Sequence, residues 1–302
     1  MKSIRILAIL LHLLILLPLA PTAKAAETAV RYAASIHPLS AILREITEGR
    51  AEIDLLLKPG SSPHTFEPTP SDLKSIESAQ AFFYVGPGID EEWVGKLPIR
   101  TKISMLGLVP VGERLQMTDK HGHQHHSGKG EGKGTTDPHF WTDPLVVKAM
   151  VPKLVEELGR IDPAGKPIYT ANAERFEQQL DQLNQKLRSI LAPLNNEPLL
   201  LLHPSFNYLI HRYNLHLSGV VVKAPGREPT PKFLFKLVKQ IKNEGIKALF
   251  TEPQLARQPA QVLAEAANIP VYEIDPIGGV PGRKTYSELL LYSAVALTKT
   301  LH

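Results

Sequence analysis

The stretch 163–193, P-A-G-K-P-I-Y-T-A-N-A-E-R-F-E-Q-Q-L-D-Q-L-N-Q-K-L-R-S-I-L-A-P, separates two halves of the chain. Its apolar side chains recur at three- and four-residue spacing, which is the period of one helix face. They are Ile168, Phe176, Leu180, Leu183, Leu187 and Leu191. Prolines stand at both ends of the stretch, where helices begin and end. The pattern predicts one helix of about 40 Å, which would act as a semi-rigid strut between two domains.

On both sides of this helix, short apolar runs alternate with helical patterns. The first half has predicted strands at 29–34, 53–57, 81–85 and 101–105, with helices at 38–48, 70–79 and 89–96. The second half has strands at 199–202, 217–222, 247–251 and 271–274, with helices at 206–213, 231–244, 257–267 and 284–300. This alternation is typical of a mainly parallel sheet. The sequence therefore predicts an α/β protein with a first lobe at 26–162, a linking helix at 163–193 and a second lobe at 194–302.

The first 25 residues have the pattern of a signal peptide. Lys2 and Arg5 precede an apolar run at 6–20, and Ala23-Lys24-Ala25 forms an A-x-A cleavage site. The run is shorter than the roughly 20 residues that a membrane span needs. The chain has no cysteine, which excludes a lipobox anchor and disulfides. We therefore expect export to the periplasm and cleavage after Ala25.

Charge argues against nucleic acid as a partner. Removing the three basic residues of the leader from 34 Lys and Arg leaves 31, against 30 Asp and Glu. The remaining chain is close to neutral, and its sequence offers no basic face that would follow a phosphate backbone.

Histidines and carboxylates follow the predicted strands. They are His64 after 53–57, His203 after 199–202, Glu252 after 247–251 and Asp275 after 271–274, joined by His139 in D-P-H-F-W (137–141). Open parallel sheets bind ligands beyond the carboxyl ends of their strands, and neutral imidazole is the commonest metal ligand. Each residue alone also fits a structural role. Asp275 before Pro276 suits a turn, and Glu252 suits a hydrogen bond to backbone.

A histidine-rich segment lies at 118–136, T-D-K-H-G-H-Q-H-H-S-G-K-G-E-G-K-G-T-T. It holds four of the chain's 12 histidines among many glycines, so we expect a mobile loop. The hypothesis is that it captures or senses zinc for a nearby site. The alternative is a solvated loop without a role, which composition alone does not exclude.

Four separated motifs resemble one known family. They are P-G-S-S-P-H-T-F-E-P-T-P-S-D (59–72), D-P-H-F-W-T-D-P (137–144), L-L-H (201–203) followed by Ser205-Phe206, and E-I-D-P-I-G (273–278). They resemble the metal-binding solute receptors of ABC transporters, most closely the zinc branch. The resemblance implies two α/β lobes with a metal site in the cleft between them. It also implies the ligands His64, His139, His203 and Asp275, with water as the alternative to Asp275.

The resemblance implies a periplasmic, high-affinity zinc-binding component of an importer, not an enzyme. Its partners would be Zn²⁺, a membrane permease and a zinc metallochaperone, and it would be a monomer. A manganese or iron receptor of the same fold is the alternative, although manganese relatives typically have Glu at the position of His203. A zinc hydrolase would need a general base, such as Glu252, and an open ligand position. The sequence has no H-E-x-x-H motif. A surface adhesin of this fold is neither supported nor excluded.

Overall fold

The computed structural model describes residues 30–117, 136–222 and 229–301. The predicted signal peptide and residues 118–135 of the histidine-rich segment lie outside the described residues. As predicted, the described part forms two α/β lobes joined by a long helix. Among its helices, none combines the length and apolar character that crossing a bilayer requires.

The first lobe contains a sheet of four parallel strands. They are β1 Val30–Ala34, β2 Ala51–Leu55, β3 Ala81–Tyr84 and β4 Lys102–Ser104, in the order β2-β1-β3-β4. Val30 is paired with Ala51, and Tyr32 with Ala81. The second sheet has the same order, β6-β5-β7-β8. Its strands are β5 Pro198–Leu201, β6 His216–Val220, β7 Leu249–Thr251 and β8 Val271–Glu273.

Ten α-helices surround the two sheets in the described residues. They are α1 His37–Thr47, α2 Pro70–Ser75, α3 Glu91–Val94, α4 Met105–Leu108, α5 Pro144–Ile161, α6 Lys166–Leu191, α7 Asn207–Arg212, α8 Pro231–Glu244, α9 Gln258–Ala267 and α10 Tyr286–Leu297. Helix α8 ends before Gly245, which adopts a left-handed φ of 66°. A side chain there would be strained, so glycine suits this helix end.

The long helix α6 is flanked by 3₁₀ turns at Pro163–Gly165 and Ala192–Leu194, which together fill the predicted range. Five of the six predicted apolar residues are buried, but Ile168 is 42% exposed. Tyr169 takes the inward position instead, and its hydroxyl donates to Asp162 at 2.7 Å. The first inward position of the helix is therefore set by a hydrogen bond as well as by apolar burial.

One apolar core runs through both lobes and α6. It includes Tyr32 and Phe83 of the first sheet, Phe176 of α6, and Leu201 and Phe250 of the second sheet. Because both lobes pack on the same helix, we expect their relative motion to be restricted. The division into lobes at 162 and 194 stays a prediction.

Two local details differ from the sequence-based predictions. Strand β2 ends at Leu55, not at 57, although Leu56 and Leu57 still donate their backbone N–H groups to β1 and the residue after it. Helix α2 is capped by Thr69, whose side chain forms a reciprocal capping box with Asp72. The helix ends at Ser75, four residues before the predicted end at 79.

Candidate metal centre

The structure brings together His64, His139 and His203. His64 lies in the loop between β2 and α2, and His139 directly precedes the 3₁₀ turn Phe140–Thr142. His203 follows the buried end of β5, next to the point where the strand order of the second sheet reverses. Such a reversal point is where open parallel sheets bind ligands. Two histidines thus come from the first lobe and one from the second.

The three rings converge on a common point. Their centroids are separated by 5.6 Å for His64–His139, 5.2 Å for His64–His203 and 5.3 Å for His139–His203. One ring nitrogen of each histidine lies within 4.8 Å of the other two. In a tetrahedral zinc site, ligand nitrogens are about 3.3 Å apart. Small side-chain shifts would therefore bring all three onto one ion.

His203 is the most deeply buried donor of the three. It is 4% exposed, and neither of its ring nitrogens has a hydrogen-bond partner of normal geometry among the described residues. An unpartnered buried polar atom is costly, and a bound cation is one of the arrangements that would satisfy it. Burial, with smaller contributions from His139 and His64, lowers the pKa of His203 to about 2. The ring is therefore neutral at physiological pH, as a metal ligand must be.

His64 is half-buried and lies on the open side of the cluster. Burial, followed by the nearby His139, lowers the pKa of His64 to about 4. This imidazole is also neutral at pH 7 and does not need to lose a proton before it binds a metal ion.

Asp137 orients His139. Its Oδ1 accepts a hydrogen bond from the backbone N–H of His139 at 2.9 Å and lies 2.8 Å from His139 Nδ1. Burial acts to raise the pKa of Asp137, but the hydrogen bonds from His139 outweigh it, and the net pKa lies below its ordinary value. An ionised carboxylate only accepts, so Nδ1 carries the proton and Nε2 presents its lone pair. This is the carboxylate–histidine arrangement common at zinc sites.

Sequence reasoning did not assign this role to Asp137. The residue stands two positions before His139 in the quoted D-P-H-F-W motif. That spacing was the available signal, because an acidic residue so close in sequence to a candidate ligand is able to reach its Nδ1.

Asp275, the predicted fourth ligand, is not a member of the histidine group. Its Oδ2 accepts from Arg283 at 2.9 Å. Its Oδ1 accepts from Gln254 at 2.8 Å and from the backbone N–H groups of Ile277 and Gly278 at 3.0 and 2.9 Å. Both oxygens are therefore occupied by protein donors, and binding a metal ion would require some of these bonds to break.

Glu252 lines the same cavity as the three histidines. It is 3% exposed, and Ser205 donates its hydroxyl to Glu252 Oε1 at 2.5 Å. Burial raises the pKa of Glu252 to about 8. A carboxyl that is mostly protonated at pH 7 is a poor general base, which argues against the hydrolase alternative.

The fold and the site together define a class: a two-lobed solute-binding protein whose cleft brings three histidines within reach of one metal ion. The chain belongs to the family described as zinc-uptake complex component A, periplasmic, whose model matches residues 33–300.

The similar proteins agree with this family. The chain is 26% identical to the zinc-binding protein AdcA of Streptococcus pyogenes serotype M3 over 268 residues, which cover 84% of this chain and 52% of AdcA. It therefore spans about half the length of AdcA. It is 25% identical to the high-affinity zinc uptake system protein ZnuA of Brucella abortus over 303 residues, covering 88% of this chain and 90% of that protein. A crystal structure of ZnuA superposes with a TM-score of 0.76 at 26% identity, covering 90% and 98% of the two chains.

Proposed function

We propose that the protein is the periplasmic, high-affinity zinc-binding component of an ABC importer, which captures Zn²⁺ and delivers it to a membrane permease. The observation that carries the proposal is the convergence of His64, His139 and His203 within 4.8 Å of one another. Three imidazole ligands suit zinc, whereas Mn²⁺ prefers sites richer in oxygen ligands. Family membership and the zinc-uptake relatives support the same cargo.

In the proposed mechanism, the cleft captures the ion with little rearrangement. His203 is buried and already neutral, and His139 is buried and already oriented by Asp137. The common core holds both lobes on α6. The ion would draw the three rings together by closing the remaining gaps between their nitrogens. Because both lobes supply ligands, a permease could distinguish the loaded receptor from the empty one. Cleavage of a signal peptide, a monomeric state and a metallochaperone partner belong to the proposal as well.

Metal analysis and competition calorimetry test the cargo. The untagged protein is stripped of metal and titrated with Zn²⁺, and then with Zn²⁺ in the presence of excess Mn²⁺. We expect tight zinc binding that Mn²⁺ does not displace. Displacement of Zn²⁺ by comparable concentrations of Mn²⁺ would favour the manganese receptor instead.

The fourth ligand is tested with Asp275→Asn. Because Arg283 and three further donors occupy Asp275, we expect the variant to lose thermal stability while the folded protein keeps its zinc affinity within a few-fold. Removing one partner of a buried ion pair typically costs about 3–5 kcal/mol of stability. If the carboxylate is a ligand, the loss of zinc affinity in Asp275→Asn will match that of a histidine variant.

The histidine-rich segment is proposed to raise the local supply of zinc. Deletion of 119–134 should lower the number of zinc ions bound per protein and slow uptake when zinc is scarce. Calorimetry provides the stoichiometry, and growth of a deletion strain in chelated medium provides the uptake. Unchanged values in both measurements would remove the role.

A further inference from the structure

The segment that carries His139 is bound to the second lobe along its length. The contacts are Asn207 Nδ2 to Asp137 Oδ2 at 2.8 Å, the Tyr208 hydroxyl to the Asp137 carbonyl at 3.0 Å, Trp141 Nε1 to the Pro276 carbonyl at 2.8 Å, the Tyr286 hydroxyl to the Trp141 carbonyl at 2.7 Å, and Arg212 Nε to Asp143 Oδ2 at 2.6 Å. We call residues 137–143 the clamped segment. A histidine of the first lobe is thus held in place by side chains of the second.

Asp137 lies at the centre of these contacts. One carboxylate oxygen receives both hydrogen bonds from His139, and the other receives the amide of Asn207. With both oxygens bound, the plane of the carboxylate is fixed, and so is the direction in which it holds the imidazole. Asp137 is 1% exposed, so no bulk water competes for these bonds.

Tyr208 fixes the backbone of Asp137 at the same place. Its hydroxyl donates to the carbonyl of Asp137 and accepts from the backbone N–H of Leu115 at 3.1 Å. Asp137 N also donates to the Leu115 carbonyl at 2.9 Å, and Gln116 and Thr136 form an antiparallel bridge beside them. Leu115 before the histidine-rich segment and Asp137 after it are therefore joined through the hydroxyl of Tyr208, a residue that is 1% exposed.

We propose that Asn207 and Tyr208 are positioning residues for the zinc ligand His139 and that they act through Asp137. The inference rests on the proposed zinc-binding function. Asn207 and Tyr208 are the first two residues of α7, and this helix begins four residues after His203. The second lobe thus supplies one ligand directly and orients a ligand of the first lobe from the same short stretch of chain.

Zinc affinity in two variants, each with a matched control, tests this role. Asn207→Ala removes the amide that holds Asp137, and Tyr208→Phe removes only the hydroxyl. The controls are Asn184→Ala and Tyr213→Phe, because the Tyr213 hydroxyl donates to Asn184 at 3.0 Å, a bond that involves neither Asp137 nor His139. Asn207 contacts Asp137 and not His139 itself, so competition with a chromophoric chelator should show zinc binding that is weaker in Asn207→Ala by up to about 10-fold, the lower end of the range for direct partners of a ligand. Tyr208→Phe should show a smaller loss, and both controls should match the parent.

A second readout separates positioning from general stability. In the metal-free parent protein, long-range ¹H–¹⁵N correlation spectra of His139 should show a protonated Nδ1 and an unprotonated Nε2. Asn207→Ala and Tyr208→Phe should reduce the Nδ1-protonated population, while the two controls leave it unchanged. A purely structural role would lower the melting temperature without moving this tautomer.

The outcomes distinguish this proposal from the proposed function. Parent-like zinc affinity and a parent-like tautomer in folded Asn207→Ala and Tyr208→Phe would overturn the positioning role, even if the parent binds zinc tightly. A shifted tautomer in a protein whose parent shows no tight zinc binding would support the positioning of His139 and overturn the zinc receptor.

Discussion

The clamped segment 137–143 and the loop 56–69 both belong to the first lobe, and each brings one histidine to the cleft. The clamped segment is buried and bound by side chains of the second lobe. The loop around His64 is partly exposed, and its turns are closed by local backbone bonds, Ser61 N to Lys58 O at 3.1 Å and Thr65 N to Ser62 O at 3.4 Å. For the proposed zinc site, the comparison predicts that His139 is preorganised for the ion, whereas His64 on the open side is the adaptable ligand.

The largest expected effect is the loss of the clamped ligand. His139→Ala should abolish tight zinc binding. The loss of zinc affinity should exceed the roughly 10- to 100-fold that is typical when a hydrogen-bond partner of a ligand is removed. The truncation removes the ligand that Asp137 orients, at a position that is 5% exposed. Calorimetry of the folded variant measures the loss. The control is His211→Ala, an exposed histidine of α7, which should bind like the parent.

His64→Ala should cost less affinity than His139→Ala. His64 is half-buried on the open side, so water is able to enter the vacated ligand position, as it does where zinc has three protein ligands. The expected result is weaker binding with faster release of zinc, measured by transfer of zinc to a fluorescent chelator in stopped flow. An equal or greater loss of affinity in His64→Ala would contradict the difference between the two segments.

The smallest expected effect concerns the metal-free protein at low pH. Folding lowers the pKa of His203 to about 2, below the ordinary value of 6.5. Between these values the unfolded chain binds a proton that the folded protein does not, so His203 reduces stability as the pH falls below 6.5. Replacing it with Asn should remove this penalty.

Melting curves of metal-free parent and His203→Asn between pH 7.5 and 5 test the prediction. The difference in melting temperature should move in favour of the variant by roughly 2–4 °C per pH unit below 6.5. Glu252, whose pKa is raised to about 8, changes the stability of both proteins in the opposite direction as the pH falls. Taking the difference in melting temperature between the two proteins cancels much of this contribution. If the melting temperatures of the two proteins change in parallel with pH, His203 is not held neutral by burial.

Much of this organisation could be predicted from the sequence, because the spacing of apolar residues and the alternation of strands with helices are local patterns. The alternation of strand and helix patterns predicted both parallel sheets. The positions of His64 and His203 after predicted strands placed both residues at the sheet edges where ligands bind. The side-chain partners could not be predicted in the same way. Asp275 follows β8 as expected, but its pairing with Arg283 depends on how the chain turns back after Gly278.

Similar limits apply to the long helix and to the outer residues of the site. Hydrophobicity alone favoured Ile168 as an inward residue, but the bond between Tyr169 and Asp162 selects the neighbouring position. Asn207 and Asp137 are 70 residues apart in sequence and come from different lobes. A single sequence gives no sign of such a contact, because it arises only when the two lobes are packed on α6.

Anomalous X-ray diffraction at the zinc edge, from crystals of the protein lacking 119–134 with one equivalent of Zn²⁺, tests the central claim most directly. The account predicts one strong peak at about 2.0–2.1 Å from a ring nitrogen of His64, His139 and His203, with Asp137 still bound to Nδ1 of His139. A peak elsewhere, or one that contacts fewer than three of these rings, would contradict the account.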